Sequence, residues 1–490
     1  MSPRSDKSQI AEAVEQALRR DPCVAEVADL AEEAGLHVFV VGGFIRDVIL
    51  GRPSPDVDFV VPGAADFARD FSGRVRGTYV LLHEDHETAR VAVRKRMYDF
   101  ADVRGESIAE DLARRDFALN AIAYDLDATA LVDPLGGMED IDSGIVRVAS
   151  DRALQDDPVR IVRAFRFAAE LGFEIQEGTA ALIADAAARL ADAAGERVRA
   201  ELLSMLTVPR AAPFVRQMDE LGVLAALLPQ LAETKGVTQD DRHHLDVWEH
   251  TLATFEQVEE ILCHVEHYFP AHTREMQRYL ARGETVGVLK LAALLHDVAK
   301  PAVMQVDDEG RPAFAGHSAE GARMAGRAAD RLRLSRRDRQ ALVGLVRHHR
   351  RPMELIEVAA RGKLRPRTMA RYFRTTGHHS VGLLLLALAH GRAMLGPAQA
   401  PDWQAAVTEL VSRLLDFYFD EYVPKEKLPR LLTGRDLLDE FSLSPGPELG
   451  EMLEALQDAQ MADQVRTKQE ALEFVRERLR EQRKSKGGAS

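Results

Sequence analysis

Cysteine, long apolar runs and surplus positive charge are all scarce in this chain, and each scarcity removes a class of protein. Its two cysteines, Cys23 and Cys263, lie far apart without CxxC spacing. They support neither a disulfide framework nor a thiolate zinc site, and a reducing, cytoplasmic setting is expected. The longest apolar stretch, Val381 to Ala389, is too short to span a bilayer, and no basic-then-apolar leader opens the sequence, so no membrane partner is expected. A net charge of −14 argues against wholesale coating of nucleic acid. Internal repeats are also missing.

What is present is enough for several cores. The 490 residues exceed what one hydrophobic core organises, and 46% hydrophobic with 29% charged residues suits a folded chain. One stretch departs from the acidic balance. From Arg331 to Arg374 there are fourteen Lys or Arg against three acids. That run suits either phosphate neutralisation or a solvated helix face.

Texture divides the chain. Ser8 to Ala34 has helical periodicity and predicts a helix pair. His37–Val41 and Asp56–Val61 read as buried strands, Arg46–Leu50 as a short helix between them, and Thr78–Leu82, Ala89–Val93 and Tyr98–Val103 as further strands. After Asp151 strand signals nearly vanish, and Ala/Leu/Arg-rich helical patterns run on. The predicted class is α+β: a small mixed α/β head followed by an all-helical body. Polar or Pro/Gly-rich breaks divide it into 1–150, the head with its N-terminal helices, a helical neck at 151–234, a histidine-containing unit at 235–397, and C-terminal helices at 398–490.

The head carries the first chemical constellation. In Val41-Gly-Gly-Phe-Ile-Arg-Asp47, two glycines between a strand and a helix let backbone N–H groups approach a triphosphate. Asp56 and Asp58 follow at i, i+2 on a strand, which places both carboxylates on one face. Such a pair suits two Mg²⁺ ions that activate an attacking hydroxyl and neutralise a leaving pyrophosphate.

These residues, with Asp111-Leu-Ala-Arg-Arg-Asp-Phe-Ala-Leu-Asn-Ala-Ile-Ala123, Asp133-Pro-Leu-Gly-Gly-Met-Glu-Asp140 and Asp156-Asp-Pro-Val-Arg160, resemble the ordered motifs of class II tRNA nucleotidyltransferases and bacterial poly(A) polymerases. The likeness covers most of residues 36 to 205. It implies a polymerase β-like sheet, catalytic Asp56 and Asp58 with Mg²⁺, and nucleotide binding by Gly42, Gly43, Arg46, Asp47, Arg115, Asp116, Asp157, Arg160, Arg163 and Arg166, with Asp116 at the ribose. It also implies tRNA, CTP and ATP as partners.

Asp157 and Arg160 have a physical reading beside the resemblance. At i, i+3 on a helix they share a face and can meet one base edge. The arginine donates to cytosine or adenine ring acceptors, and the carboxylate accepts from the exocyclic amine that both bases carry. Uracil and guanine present a carbonyl there, leaving a buried group unpaired. The competing reading pairs the arginine ladder with acids on a neighbouring helix. Two positions depart from the family pattern: Ala118 replaces the threonine of RRDFT, and Asp156 replaces the first glutamate of EDxxR.

A second constellation orders His250, His296-Asp297, His317, His348-His349 and His390 in the manner of an HD domain. The resemblance implies a divalent metal of unknown identity and a secondary phosphohydrolase activity. The usual pattern ends in aspartate, whereas His390 stands here, so a metal site and the relic of one both remain open. Leu432–Leu438 and Ser444–Gly450 resemble a tail motif found behind such domains.

The leading expectation is addition of CCA, or part of it, to tRNA 3′ ends. A poly(A) polymerase would carry a basic GRRFR-like segment where this chain reads Gly73-Arg-Val-Arg-Gly-Thr-Tyr79. An HD phosphohydrolase or nucleotide-sensing RNA-binding protein with an inert head is the third reading. In members of the resembled family that build the whole CCA, a longer loop before RRD helps switch the pocket from C to A; Val103–Asp111 is short beside it, which favours addition of CC, while full CCA addition stays open because another loop could supply the same motion. Sequence sets no oligomeric state.

Overall fold

The computed structural model describes residues 7–54, 56–83, 88–426, 429–441, 443–461 and 463–487. The chain divides into two compact units, 1–227 and 228–490.

The first unit opens with the expected helix pair, Lys7–Arg19 and Pro22–Ala34. Asp21 caps the second by accepting from the Cys23 N–H, with Pro22 at its first turn. Seven strands follow: β1 (Phe39–Val41), β2 (Asp56–Val60), β3 (Thr78–His83), β4 (Thr88–Val93), β5 (Arg96–Ala101), β6 (Ala123–Asp125) and β7 (Ala130–Val132). They form one sheet in the order β3-β4-β5-β2-β1-β6-β7. Within this sheet, among the described residues, only the β2–β5 pairing is parallel. The last two strands were not expected from sequence, since three residues each give too little alternation to read.

Period-two alternation explains the orientation of β2. Val57 and Phe59 are buried, while Asp56 and Asp58 point the other way. On the buried face, Phe59 stacks on Phe100 with centroids 5.1 Å apart, and Phe71 from the helix Ala64–Val75 lies 5.2 Å from Phe100. This aromatic cluster fixes β2 against β5 and frees the opposite face for polar chemistry.

Beyond the sheet, the helices Val159–Leu171 and Gly195–Thr207 pack together within the same unit. After Asp151 the only strands among the described residues are two-residue pieces, Glu174–Ile175, Gln305–Val306 and Pro312–Ala313, so the helical expectation holds apart from these.

The second unit is built on apolar helices. Val247–Cys263, Thr285–Leu295, His317–Arg331, Arg336–His348 and Ser380–Ala393 pack on one another, and Ser380–Ala393 is buried nearly throughout. Its last helices, Gly434–Phe441, Pro447–Met461 and Lys468–Gly487, enclose a small core of Leu437, Met452, Leu456 and Val475. No helix among the described residues is long and apolar enough to cross a membrane.

Candidate functional site

Sheet register assembles the head site. Asp58 pairs across to Val41 on β1 and to Asp99 on β5, and Asp99 lies opposite Arg90 on β4. A third carboxylate therefore stands beside the expected pair, and the Arg90 guanidinium holds it at 2.7 Å through both oxygens. Asp99 and Arg90 were missed from sequence. Tyr98-Asp-Phe100 alternates as Val57-Asp-Phe59 does, but the parallel pairing that joins the two strands cannot be read locally. Burial, with Asp99 next, pushes the Asp58 carboxyl up to about 6. Crowded, desolvated carboxylates of this kind are what a bound cation relieves.

Gly42 makes the turn possible. Its φ of +78° and ψ of −142° suit glycine alone, and a Cβ there would lie 2.9 Å from Asp58 Oδ2. Gly43 then starts the helix Gly43–Ile49. Arg46 on that helix is tied to Asp47 at 2.9 Å and to Asn120 Oδ1 at 2.7 Å, and lies over the Phe167 ring at 5.0 Å. Asp47 thereby positions Arg46.

A cavity of about 280 Å³ opens on this face, lined by Asp58, Arg115, Asp116, Asp157, Arg160 and Arg163 among others. Arg115 donates to Asp111 at 3.1 Å. Asp116 accepts from Asn120 and from the Phe117 N–H, and pairs with Arg163 at 3.1 Å. Burial alone would raise the Asp116 carboxyl, but Arg163 and those hydrogen bonds win and hold it below its ordinary value. Arg160 donates to the carbonyls of Arg115 at 3.0 Å and Arg114 at 3.2 Å, which locks it under the Arg-Arg-Asp turn.

Three expectations need correction here. Asp157 is not on the helix with Arg160: its φ of −145° and ψ of 97° are extended, because Pro158 follows and disfavours the helical region before it. The two still lie together, with Arg160 Nε 3.9 Å from Asp157 Oδ2. Second, Asp157 is gripped through both oxygens by Arg197, at 2.6 and 3.1 Å, a partner not anticipated. Third, Arg166 does not line the cavity. It turns to Glu201 at 2.5 Å and Glu170 at 2.7 Å, and Glu201 also accepts from Arg163 at 2.7 Å. For Arg166 the competing reading, pairing with an acid on a neighbouring helix, describes its contact with Glu201, while Glu170 lies one turn further along its own helix.

The histidines converge in the second unit. Ligand atoms of His250, His296, Asp297 and His390 lie within 4.8 Å of one another, as do those of Asp297, His317 and His349. Asp297 joins the two sets: Oδ2 faces His296 at 3.2 Å and His250 at 3.9 Å, Oδ1 faces His317 at 3.4 Å and His349 at 3.5 Å. Lys300 also reaches Oδ2 at 2.7 Å. Backbone carbonyls of Ala293, Phe314 and Val346 take the Nδ1 atoms of His296, His317 and His349 at 2.7–2.8 Å, which points each Nε2 inward. Burial holds His250 and His390 well below the ordinary imidazole value and His317 at about 4, so these rings are neutral donors at pH 7. His296 Nε2 and both His390 nitrogens are buried without a hydrogen-bond partner beside the Asp297 carboxylate, which is the state of a donor set that fits a cation.

His348 is a correction. Successive residues on a helix point about 100° apart, and while His349 faces Asp297, His348 lines another pocket beside His379.

A glycine turn beside clustered carboxylates on a seven-stranded sheet is the architecture of a nucleotidyltransferase head. The family model of the Poly A polymerase head domain matches residues 38–147, that of the RNA- and SrmB-binding site of polymerase A residues 172–235, the HD domain 247–372, and domain 2 of tRNA nucleotidyltransferases 421–475. An A-adding tRNA nucleotidyltransferase of Deinococcus radiodurans is 33% identical over 89% of this chain and 94% of its own. A CC-adding tRNA nucleotidyltransferase of Geobacter sulfurreducens is 34% identical over 93% and 95%. A Multifunctional CCA protein of Azoarcus sp. is 32% identical over 77% and 90%. The fold matches that of a CCA-adding enzyme solved with ATP, with a TM-score of 0.64 and 23% identity over 98% of this chain and 100% of that one. The chain is thus a nucleotidyltransferase. More particularly, it belongs to the tRNA nucleotidyltransferase family, and dependence on a divalent metal comes with that membership.

Proposed function

We infer that the chain extends tRNA 3′ ends with nucleotides taken from CTP and ATP, using Mg²⁺ held by Asp56 and Asp58. The observation that carries this reading is one cavity that sets Asp58, crowded by Asp99, against Asp157 and Arg160. The metal supplies activation of the primer hydroxyl and charge neutralisation at the leaving pyrophosphate. The chain's own residues do the rest. The Gly42–Gly43 turn and Arg115 receive the triphosphate, Asp116 the ribose, and Asp157, fixed by Arg197, accepts from the amine of cytosine or adenine while Arg160 faces the ring acceptors. Arg46 and Arg163 brace this wall, and Arg166 supports it through Glu201.

The portion added is CC. The segment from β5 to the helix Ile108–Ala113 is short and pinned: Asp111 accepts from the Arg104 N–H, Glu110 from the Glu106 N–H, and Ser107 from the Glu110 N–H. A segment held by three such bonds has little reach for the rearrangement that terminal A requires. CC-adding relatives from Geobacter sulfurreducens and Thermus thermophilus suit this reading, whereas the A-adding relative does not. The test is incorporation of labelled CTP and ATP into tRNAs ending before CCA, after C and after CC. Extension of the first two substrates to CC without A supports the assignment. A complete CCA end formed by this protein alone overturns the partial-addition part, and no incorporation on any substrate overturns the whole.

In the second unit, His250, His296, Asp297 and His390 on one side, and Asp297, His317 and His349 on the other, hold a divalent ion. The buried, partnerless nitrogens of His296 and His390 and the convergence of both sets on Asp297 support this. Imidazole-rich donors favour an ion softer than magnesium. The four-part division at 150, 234 and 397 follows the motifs, three of which fall in the head.

A further inference from the structure

One buried imidazole near the HD cluster has no assigned role. His243 lies on the turn before the helix Val247–Cys263, its side chain 7% exposed, and its Nδ1 meets Asp240 Oδ1 at 2.6 Å. A carboxylate only accepts, so Nδ1 carries the proton and Nε2 is left as a bare acceptor. That Nε2 is buried without a partner. The ring stands edge-on to His250 at 4.7 Å and 6.2 Å from His390. It belongs to neither set of ligand atoms gathered within 4.8 Å.

The unmet needs on this side of the cluster match what His243 offers. His296, His317 and His349 each have a backbone carbonyl for Nδ1, but His250 Nδ1 and both His390 nitrogens have nothing. A ligating imidazole needs an acceptor for its second nitrogen to fix tautomer and tilt. This is also the half where histidine stands in place of the usual aspartate, so one negative charge is missing. Asp240 returns that charge one layer further out.

The turn is built to stay put. Gly396 N donates to Arg242 O at 3.0 Å and Ala398 N to Asp241 O at 3.0 Å. A Cβ on Gly396 would fall 2.2 Å from the Arg242 carbonyl carbon and 2.4 Å from His243 N, so only glycine permits this approach.

We propose that the Asp240–His243 pair is a positioning element of the HD metal centre, offering its one bare nitrogen as acceptor to the second nitrogen of His250 and so tuning the half-site of His250, His296 and His390. It rests on the reading that this cluster binds a divalent ion. The test is Co²⁺ titration of the EDTA-stripped full chain, followed by visible absorption and by metal content per chain. His243→Ala and Gly396→Ala weaken the His250–His296–His390 half-site by about ten- to a hundredfold and shift its absorption bands, leaving the His317–His349 half unchanged. Asp240→Asn, which keeps an acceptor but not the charge, gives a smaller loss, and Asp240→Glu restores binding. Circular dichroism and the thermal midpoint verify that each variant is folded. Affinities and spectra unchanged in folded His243→Ala overturn the proposal alone. Absence of any uptake by the wild-type chain overturns the metal reading and the proposal with it.

Discussion

Replacing Gly42 by alanine isolates the geometry of the head site with a single methyl group. Two costs arise from the structure. The backbone at φ +78° and ψ −142° is left to glycine, and holding another residue there costs about 1–3 kcal/mol. A shift of 1 kcal/mol moves the midpoint of a domain this size by roughly 2–4 °C, so the expected fall is about 2–12 °C. The new Cβ would also stand 2.9 Å from Asp58 Oδ2 and 3.4 Å from Arg115 Nη1. Carbon and oxygen do not pack that closely, and the carboxylate is the softer partner, so it moves. Displacement of a reacting group by about 1 Å costs roughly a hundredfold in rate, and a few tenths of an ångström here should cost at least about tenfold. The assay is single-turnover incorporation of CTP into tRNA lacking its end, beside a melt of the same preparation. The reasoning predicts a fall in the rate of the chemical step with little change in tRNA affinity. A variant that melts lower but turns over within twofold of wild type would show that Asp58 is not placed by this turn, and the argument would fail.

Asp58→Ala should lower nucleotide addition by roughly a hundredfold or more with the fold retained, since it removes one of three crowded carboxylates; near-normal incorporation with Mg²⁺ would exclude it from metal binding. Asp157→Ala should relax selection against UTP and GTP more than it weakens triphosphate binding, read from competition among the four nucleotides, and a uniform loss with C and A still preferred would count against base reading by this residue. His296→Ala should lower divalent metal content without eliminating nucleotide addition; unchanged metal content would make the cluster purely structural. Lys290 and Glu259 form an ion pair at 2.7 Å with both side chains buried. Lys290→Ala should therefore lower the midpoint of a urea melt by removing one member of a buried ion pair, and an undiminished midpoint would refute that.

How legible the site was depended on whether a residue's neighbours lie close in sequence. The helix pair, the glycine turn and the alternation of Asp56 and Asp58 are local patterns, and the structure places them as their periodicities require. Asp99 is equally patterned within its own strand, yet its place beside Asp58 depends on the parallel β2–β5 pairing across an intervening helix and two strands. Glu201 gathers Arg163 and Arg166 across 35 or more residues. No spacing rule reaches that far. Asp157 is different, because its signal was local: proline at 158 pushes the preceding residue out of the helical region, and reading i, i+3 through it overlooked that constraint.

The histidines sharpen the same point. Helical geometry separates His348 from His349: successive side chains point about 100° apart, and here only His349 turns to Asp297. His243 had no such local clue. Arg242-His-His244 reads as a polar break between units, the usual fate of charged residues ahead of a helix. What turns His243 inward is a carboxylate three residues back, which selects its tautomer, and a glycine more than 150 residues on whose missing side chain lets two backbones touch. Close backbone approach at this point is a constraint that a residue with a Cβ violates. If Gly396→Ala disturbs metal binding while the distant helix ends stay folded, the centre is defined as much by that contact as by the imidazoles that surround Asp297.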